Sequence, residues 1–219
     1  MNFQIAPDIS DVNTPLVVHV PHSSSCVPAN YRDQFVLDDE ALQKELLAMT
    51  DMYTDQLFVP ATRANNGVTF VNQLSRLVFD PERFEDDQVE PMAKKGMGAV
   101  YTSTSSDGPL RLPEFNTSAR EQIIVELFQR YASGLATTVS TVLDRFQRCL
   151  LIDAHSFPSV PLAYEDADLK RPDLCIGFDP FHAPEVLVQA LEREARIHGW
   201  SSARNQPFSG SYVPTCHYM

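Results

Sequence analysis

Residues 150–159 read LLIDAHSFPS. The apolar run from Cys149 to Ile152 reads as a short buried strand. Pro158, which has no N–H to give a ladder, rules out its continuation. His155 therefore stands just past a strand end. A near copy lies at the start of the chain in PLVVHVPHSSS, residues 15–25. There the apolar run Leu16 to Val20 is broken by Pro21 and followed by His22 and three serines.

Working outward, the chain alternates strand and helix patterns. From about Asp39, Leu42, Leu46, Met49, Tyr53 and Leu57 recur at spacings of three and four, which predicts a helix. Apolar and polar residues alternate from Val68 to Leu74, a strand pattern, and residues 85–117 are loop-rich. Ser118 with Glu121 forms a capping-box pattern that opens a long amphipathic helix from Ile124 to Phe146. DLCIGFD, residues 173–179, reads as another short strand. Residues 183–199 read as a helix with Pro184 in its first turn and Gly199 past its end. This order predicts an α/β fold with a largely parallel sheet, and such sheets bind ligands outside the carboxyl ends of their strands. Both histidines lie at ends of that kind.

Composition narrows the function classes. A net charge of −12 argues against nucleic acid and against an acidic membrane surface, since both need a basic face. A small anionic substrate fits only if arginines gather locally. No apolar run approaches the roughly 20 residues of a membrane span, and MNFQIAPDIS lacks the basic start and apolar core of a secretory signal. Cys26, Cys149, Cys175 and Cys216 are scattered, so neither a disulfide framework nor a cysteine zinc site is expected. The expected location is the cytoplasm, and the expected organisation is one domain over residues 1–219.

One histidine after a strand is ordinarily a loop residue; two at strand ends of one sheet point to metal binding or catalysis. Zinc takes imidazole nitrogens and a carboxylate and leaves a position open. In TDMYTDQLF, residues 50–58, Asp51 and Asp55 are four apart and would share a helix face. The competing reading is that Asp51, beside Thr50, caps a fresh helical turn. The serines after His22 lack a G-x-S-x-G elbow and read as turn residues. SRLVFDPERF, residues 75–84, places Arg76 and Arg83 around Asp80, either as a salt-bridged surface loop or as a fork for substrate carboxylates.

Seven stretches in order carry a resemblance: VHVPHSS, TDMYTDQLF, SRLVFDPERF, EPMAKKGMGAVYT, LIDAHSFPS, RPDLCIGFD and NQPFSGSYVP. From about residue 15 to the last residue the chain resembles the N-formylglutamate amidohydrolases. That resemblance implies a three-layer α/β/α sandwich with a mixed, mostly parallel sheet, similar to zinc carboxypeptidases and aspartoacylase. It implies Zn2+ as cofactor, with His22, Asp51 and His155 as metal ligands. It implies a small anionic N-acyl amino acid as partner, N-formyl-L-glutamate, cleaved to glutamate and formate in histidine breakdown. Arg76, with Ser75 before it, Arg83 and Asn205 are implied as substrate-binding residues, the last in a loop where Gly210 allows a tight turn. The family's C-terminal Glu-Val-x-Arg segment does not occur, so the chain is expected to lack that strand and helix, and no catalytic base is assigned. Glu90, Asp80 and Asp153 are the carboxylates weighed as substitutes. A zinc amidase for another N-acyl amino acid and a non-catalytic ligand-binding relative are the alternatives.

Overall fold

The protein is described from a computed structural model covering residues 2–163, 165, 166, 168 and 170–218. The chain divides into two compact units, residues 1–157 with 214–219, and residues 158–213.

The first unit is built on a four-stranded sheet of order β1-β3-β2-β4, with β1 Phe3–Ala6, β2 Leu16–Val20, β3 Val68–Asn72 and β4 Leu150–Asp153. β3, β2 and β4 are parallel, and β1 runs antiparallel along the edge of β3. The sheet is thus mixed and mostly parallel, as expected. The edge strand has no counterpart in the sequence reading, because four residues with one polar interruption carry too short a pattern.

Helices follow in chain order as α1 Ala29–Arg32, α2 Asp39–Met49, α3 Thr54–Ala64, α4 Thr117–Ile123 and α5 Gln129–Phe146. Alternation along β2 sorts the core into two layers. Val17 packs with Val142 and Phe146 of α5, whereas Val18 and Val20 pack with Phe58 and Val59 of α3. β3 is buried at every position, as a central strand covered on both faces must be.

Two local expectations are corrected. The helical pattern from Asp39 is not one helix: it breaks after Met49 and restarts at Thr54, with Tyr53 between them at φ 66°. Asp51 and Asp55 therefore share no helix face, and Asp51 sits in the break. The cap of α4 is Asn116, whose side chain accepts from the N–H of Ala119, rather than Ser118. A π-helical turn, Ile124–Phe128, joins α4 to α5, and the amide of Asn2 donates to the carbonyl of Leu127 within it.

Residues 73–116 contain little regular structure, so their order needs a side-chain staple. Arg111 supplies it. Its buried guanidinium donates to the carbonyls of Tyr101, Leu77 and Val78 and to Gln34 Oε1. Phe35 and Phe115 lie 4.5 and 4.8 Å from its central carbon.

The second unit is a β-α-β piece in which β5 Leu174–Ile176 and β6 Ser202–Arg204 pair in parallel, with α6 Glu185–Ile197 between them in sequence. Gly177 is required there, because a Cβ would come within 2.8 Å of the carbonyl oxygen of Gly210. Among the described residues no helix is long and apolar enough to cross a membrane.

Replacing Arg111 with methionine keeps the stem but strands three buried carbonyls. The expected loss is about 3 kcal/mol or more, read as a lower urea midpoint at unchanged slope.

Candidate metal centre and active site

β2 and β4 pair with His19 beside Asp153, so the two chain segments leave the sheet side by side at its carboxyl end. Pro21 ends the first strand; its carbonyl accepts from Asn72, and the carbonyl of His22 accepts from the N–H of Asp51. The second segment is held likewise: Ala154 donates to the carbonyl of His19, and Ser156 Oγ to that of Met52. The imidazoles of His22 and His155 come to rest with ring centroids 5.2 Å apart.

Around them stand four carboxylates. Asp51 Oδ2 lies 2.8 Å from His155 Nδ1 and 4.0 Å from His22 Nδ1. Asp80 Oδ1 lies 2.8 Å from His22 Nε2. Glu82 places Oε2 3.4 Å from His22 Nδ1 and Oε1 3.3 Å from His155 Nε2. Asp153 bridges two histidines, with Oδ1 2.8 Å from His19 Nδ1 and Oδ2 3.2 Å from His155 Nε2. His19 is itself engaged on its other side by the Tyr131 hydroxyl at 2.7 Å.

These contacts set protonation. Burial raises the pKa of Asp80, but Arg76, His22 and Arg83 outweigh it and hold the carboxyl well below its usual range. Asp80 is therefore ionised and can only accept, so His22 Nε2 is the donor of their 2.8 Å hydrogen bond and Nδ1 is the ring nitrogen left facing Glu82 and Asp51. That Nδ1 is buried and has no hydrogen-bond partner, and the same is true of Glu82 Oε1. For His155 burial lowers the pKa, yet Glu82, Asp153 and Asp51 raise it well above the usual imidazole value. Burial, with Asp153 adding to it, pushes the Glu82 carboxyl up.

The donor set fits a divalent metal. Nitrogen and oxygen atoms of His22, Glu82 and His155 all lie within 4.8 Å of one another. Orphaned buried atoms are rare in folded proteins and call for a partner. Four carboxylates outnumber the guanidiniums of Arg76 and Arg83, a balance that favours a cation.

His22, Asp51 and His155 are thus brought together, and Glu82 joins them. Sequence reading passed over Glu82, although it lies in the quoted SRLVFDPERF; only its position between Asp80 and Arg83 could have drawn attention to it. Of the arginines, Arg76 is engaged: Nε and Nη2 donate to Asp80 at 3.3 and 2.9 Å, and Nη1 lies 3.6 Å from Asp51. Arg83 is the more exposed, and its Nε has no hydrogen-bond partner. Ser75 is buried and accepts from the N–H of Leu77, a turn role. Asn205 belongs to the second unit, where its side-chain oxygen accepts from the N–H groups of Phe178 and Gly210. Glu90 caps a 3-10 turn through Met92 and also holds Phe84, so its carboxylate is structural.

Histidines and carboxylates thus gather at the carboxyl edge of a mixed sheet, where α/β folds bind ligands. Residues 14–219 match the N-formylglutamate amidohydrolase family, and the chain belongs to it; the family is one of enzymes that hydrolyse an amide bond. In structure it is similar to the N-formylglutamate amidohydrolase from Ralstonia eutropha JMP134, with a TM-score of 0.80 and 23% identity over 94% of this chain and 77% of that one. It is also similar to the gene product Atu2144 from Agrobacterium tumefaciens, with a TM-score of 0.72 and 15% identity over 95% and 74% of the two chains. A comparison with curated protein sequences returns no match.

Because the metal-free His155 holds a proton at neutral pH, zinc uptake at pH 7 should release about one proton. Apparent affinity should climb with pH until the raised His155 pKa is passed and then level off. Calorimetry in buffers of different ionisation enthalpy measures both.

Proposed function

We propose that this protein is a zinc-dependent amidohydrolase that cleaves N-formyl-L-glutamate to L-glutamate and formate, a reaction of histidine degradation. The observation that carries the metal half is the buried, unpartnered Nδ1 of His22 facing a ring of carboxylates beside a second imidazole. The substrate half rests on family membership.

In this reading His22, Asp51 and His155 hold the zinc. Bound there, zinc supplies Lewis acidity toward the formyl carbonyl and lowers the pKa of water to about 7. The remaining chemistry belongs to side chains. Glu82 accepts the proton of the attacking water and returns it to the leaving amine, since it lies between the two imidazoles and burial raises its pKa, the direction a general base needs. Asp80 and Asp153 are held by other partners and are unsuited to that task. Arg83 receives a substrate carboxylate, and Arg76 lends positive charge behind it.

A second reading is favoured by one observation: with Arg76 engaged by Asp80, a single guanidinium is left for a substrate with two carboxylates. That suits an N-acyl amino acid with one carboxylate equally well.

Formate release by the zinc-loaded chain from N-formylglutamate and from N-formylleucine separates the two readings; a clear preference for the glutamate derivative supports the first. Replacing Arg83 with alanine should raise KM for N-formylglutamate by roughly 10–100-fold, the equivalent of about 1.5–3 kcal/mol. If N-formylleucine suffers equally, Arg83 holds the shared α-carboxylate. Glu82→Gln should lower kcat by about 10²–10⁴-fold while zinc stays bound, measured by turnover and metal content together. Loss of zinc instead would make Glu82 a ligand.

A further inference from the structure

We propose that Asp80 is the positioning residue of this metal site: it fixes His22 with Nδ1 available to the metal and keeps Arg76 from capturing Asp51. The inference rests on the metal reading above and assigns a function to a side chain that itself reaches neither metal nor substrate.

The Asp80 side chain is fully buried, and both of its oxygens are engaged. Oδ1 faces His22 Nε2 at 2.8 Å and accepts from the N–H of Glu82 at 3.1 Å. Oδ2 accepts from the Tyr101 hydroxyl at 2.7 Å and from Nη2 and Nε of Arg76 at 2.9 and 3.3 Å. Arg83 Nε lies 3.6 Å away. A carboxylate bound from two sides cannot rotate, so its demand for a proton on His22 Nε2 is fixed. An imidazole carrying one proton on Nε2 has its lone pair on Nδ1, the form that ligates metal through Nδ1.

Asp51 depends on the same residue. Arg76 Nη1 lies 3.6 Å from Asp51 Oδ1, while Asp80 holds the other two nitrogens of the fork that face it. Without the Asp80 charge, a buried guanidinium would turn to the next carboxylate within reach, which is Asp51. One side chain thus protects two ligands at once, one by tautomer and one by competition.

Asp80→Asn keeps the shape and removes the charge; because its NH2 would also face the N–H of Glu82, the His22 tautomer, read beside zinc affinity, isolates the role. With its oxygen toward Arg76 and Tyr101, the asparagine points its NH2 group at His22 Nε2. Two donors then face each other unless the imidazole moves its proton to Nδ1, which removes the metal's lone pair. The experiment compares wild type, Asp80→Asn and Tyr101→Phe as full chains. Zinc affinity is read by chelator competition, and the His22 tautomer by 15N NMR of the metal-free protein.

The expected result is 10–100-fold weaker zinc binding in Asp80→Asn, with the 15N pattern moving from Nε2–H to Nδ1–H. Tyr101→Phe, which removes one bond from Oδ2 only, should stay within a few fold of wild type. Adding Arg76→Met to Asp80→Asn should restore part of the affinity. A folded Asp80→Asn that binds zinc like wild type overturns the proposal alone. Should that variant fail to fold, the wild-type tautomer decides: Nε2–H supports it and Nδ1–H overturns it. A wild-type chain that takes up no zinc overturns the metal reading and this proposal together.

Discussion

The parallel pairing of β2 with β4 is the constraint on which the rest of the site depends. Its register sets His19 against Asp153 and sends the following residues of both segments off the same edge of the sheet. His22 follows three residues after one partner and His155 two after the other, so the imidazoles meet without either chain travelling far. A slip of one residue would turn every side chain of a strand to the opposite face, exchanging the α3 and α5 layers of the core. Burial on both faces therefore enforces the register that the chemistry needs.

Electrostatics builds on that scaffold. Isolated charges do not survive burial, and here almost none is isolated. Asp80 is tied to Arg76, Tyr101 and His22; Asp153 to two histidines; Asp51 to His155. Three atoms of the cluster stand outside this economy, His22 Nδ1, Glu82 Oε1 and Arg83 Nε. A fully satisfied cluster would be a structural network. One in which a ring nitrogen and a carboxylate oxygen lack hydrogen bonds beside a second imidazole is a group of side chains that could hold a metal ion.

The loop after β3 links the two levels. SRLVFDPERF contributes Asp80 beneath His22, Glu82 beside it, and both arginines. Its position comes from Arg111, which holds the carbonyls of Leu77 and Val78, 34 and 33 residues upstream of it. A segment without regular structure thereby holds charged groups to hydrogen-bonding distances.

The sequence by itself determined the central strands and the long helices between them, the placement of two histidines past strand ends and the motifs of the family. Those features are local: a run of β-branched residues, a proline, a spacing of three and four. The choice among carboxylates was left to the tertiary structure. Asp51 was legible as a candidate, but the break that frees it from the helix of Asp55 depends on its N–H reaching the carbonyl of His22 and on Tyr53 taking a left-handed turn. Glu82 and Asp80 lie in a motif that drew attention to its arginines, and their roles follow from contacts with histidines at positions 22 and 155. Hydrogen bonds across such separations have no periodicity, so nothing in the order of residues announces them; they exist only once the core has packed.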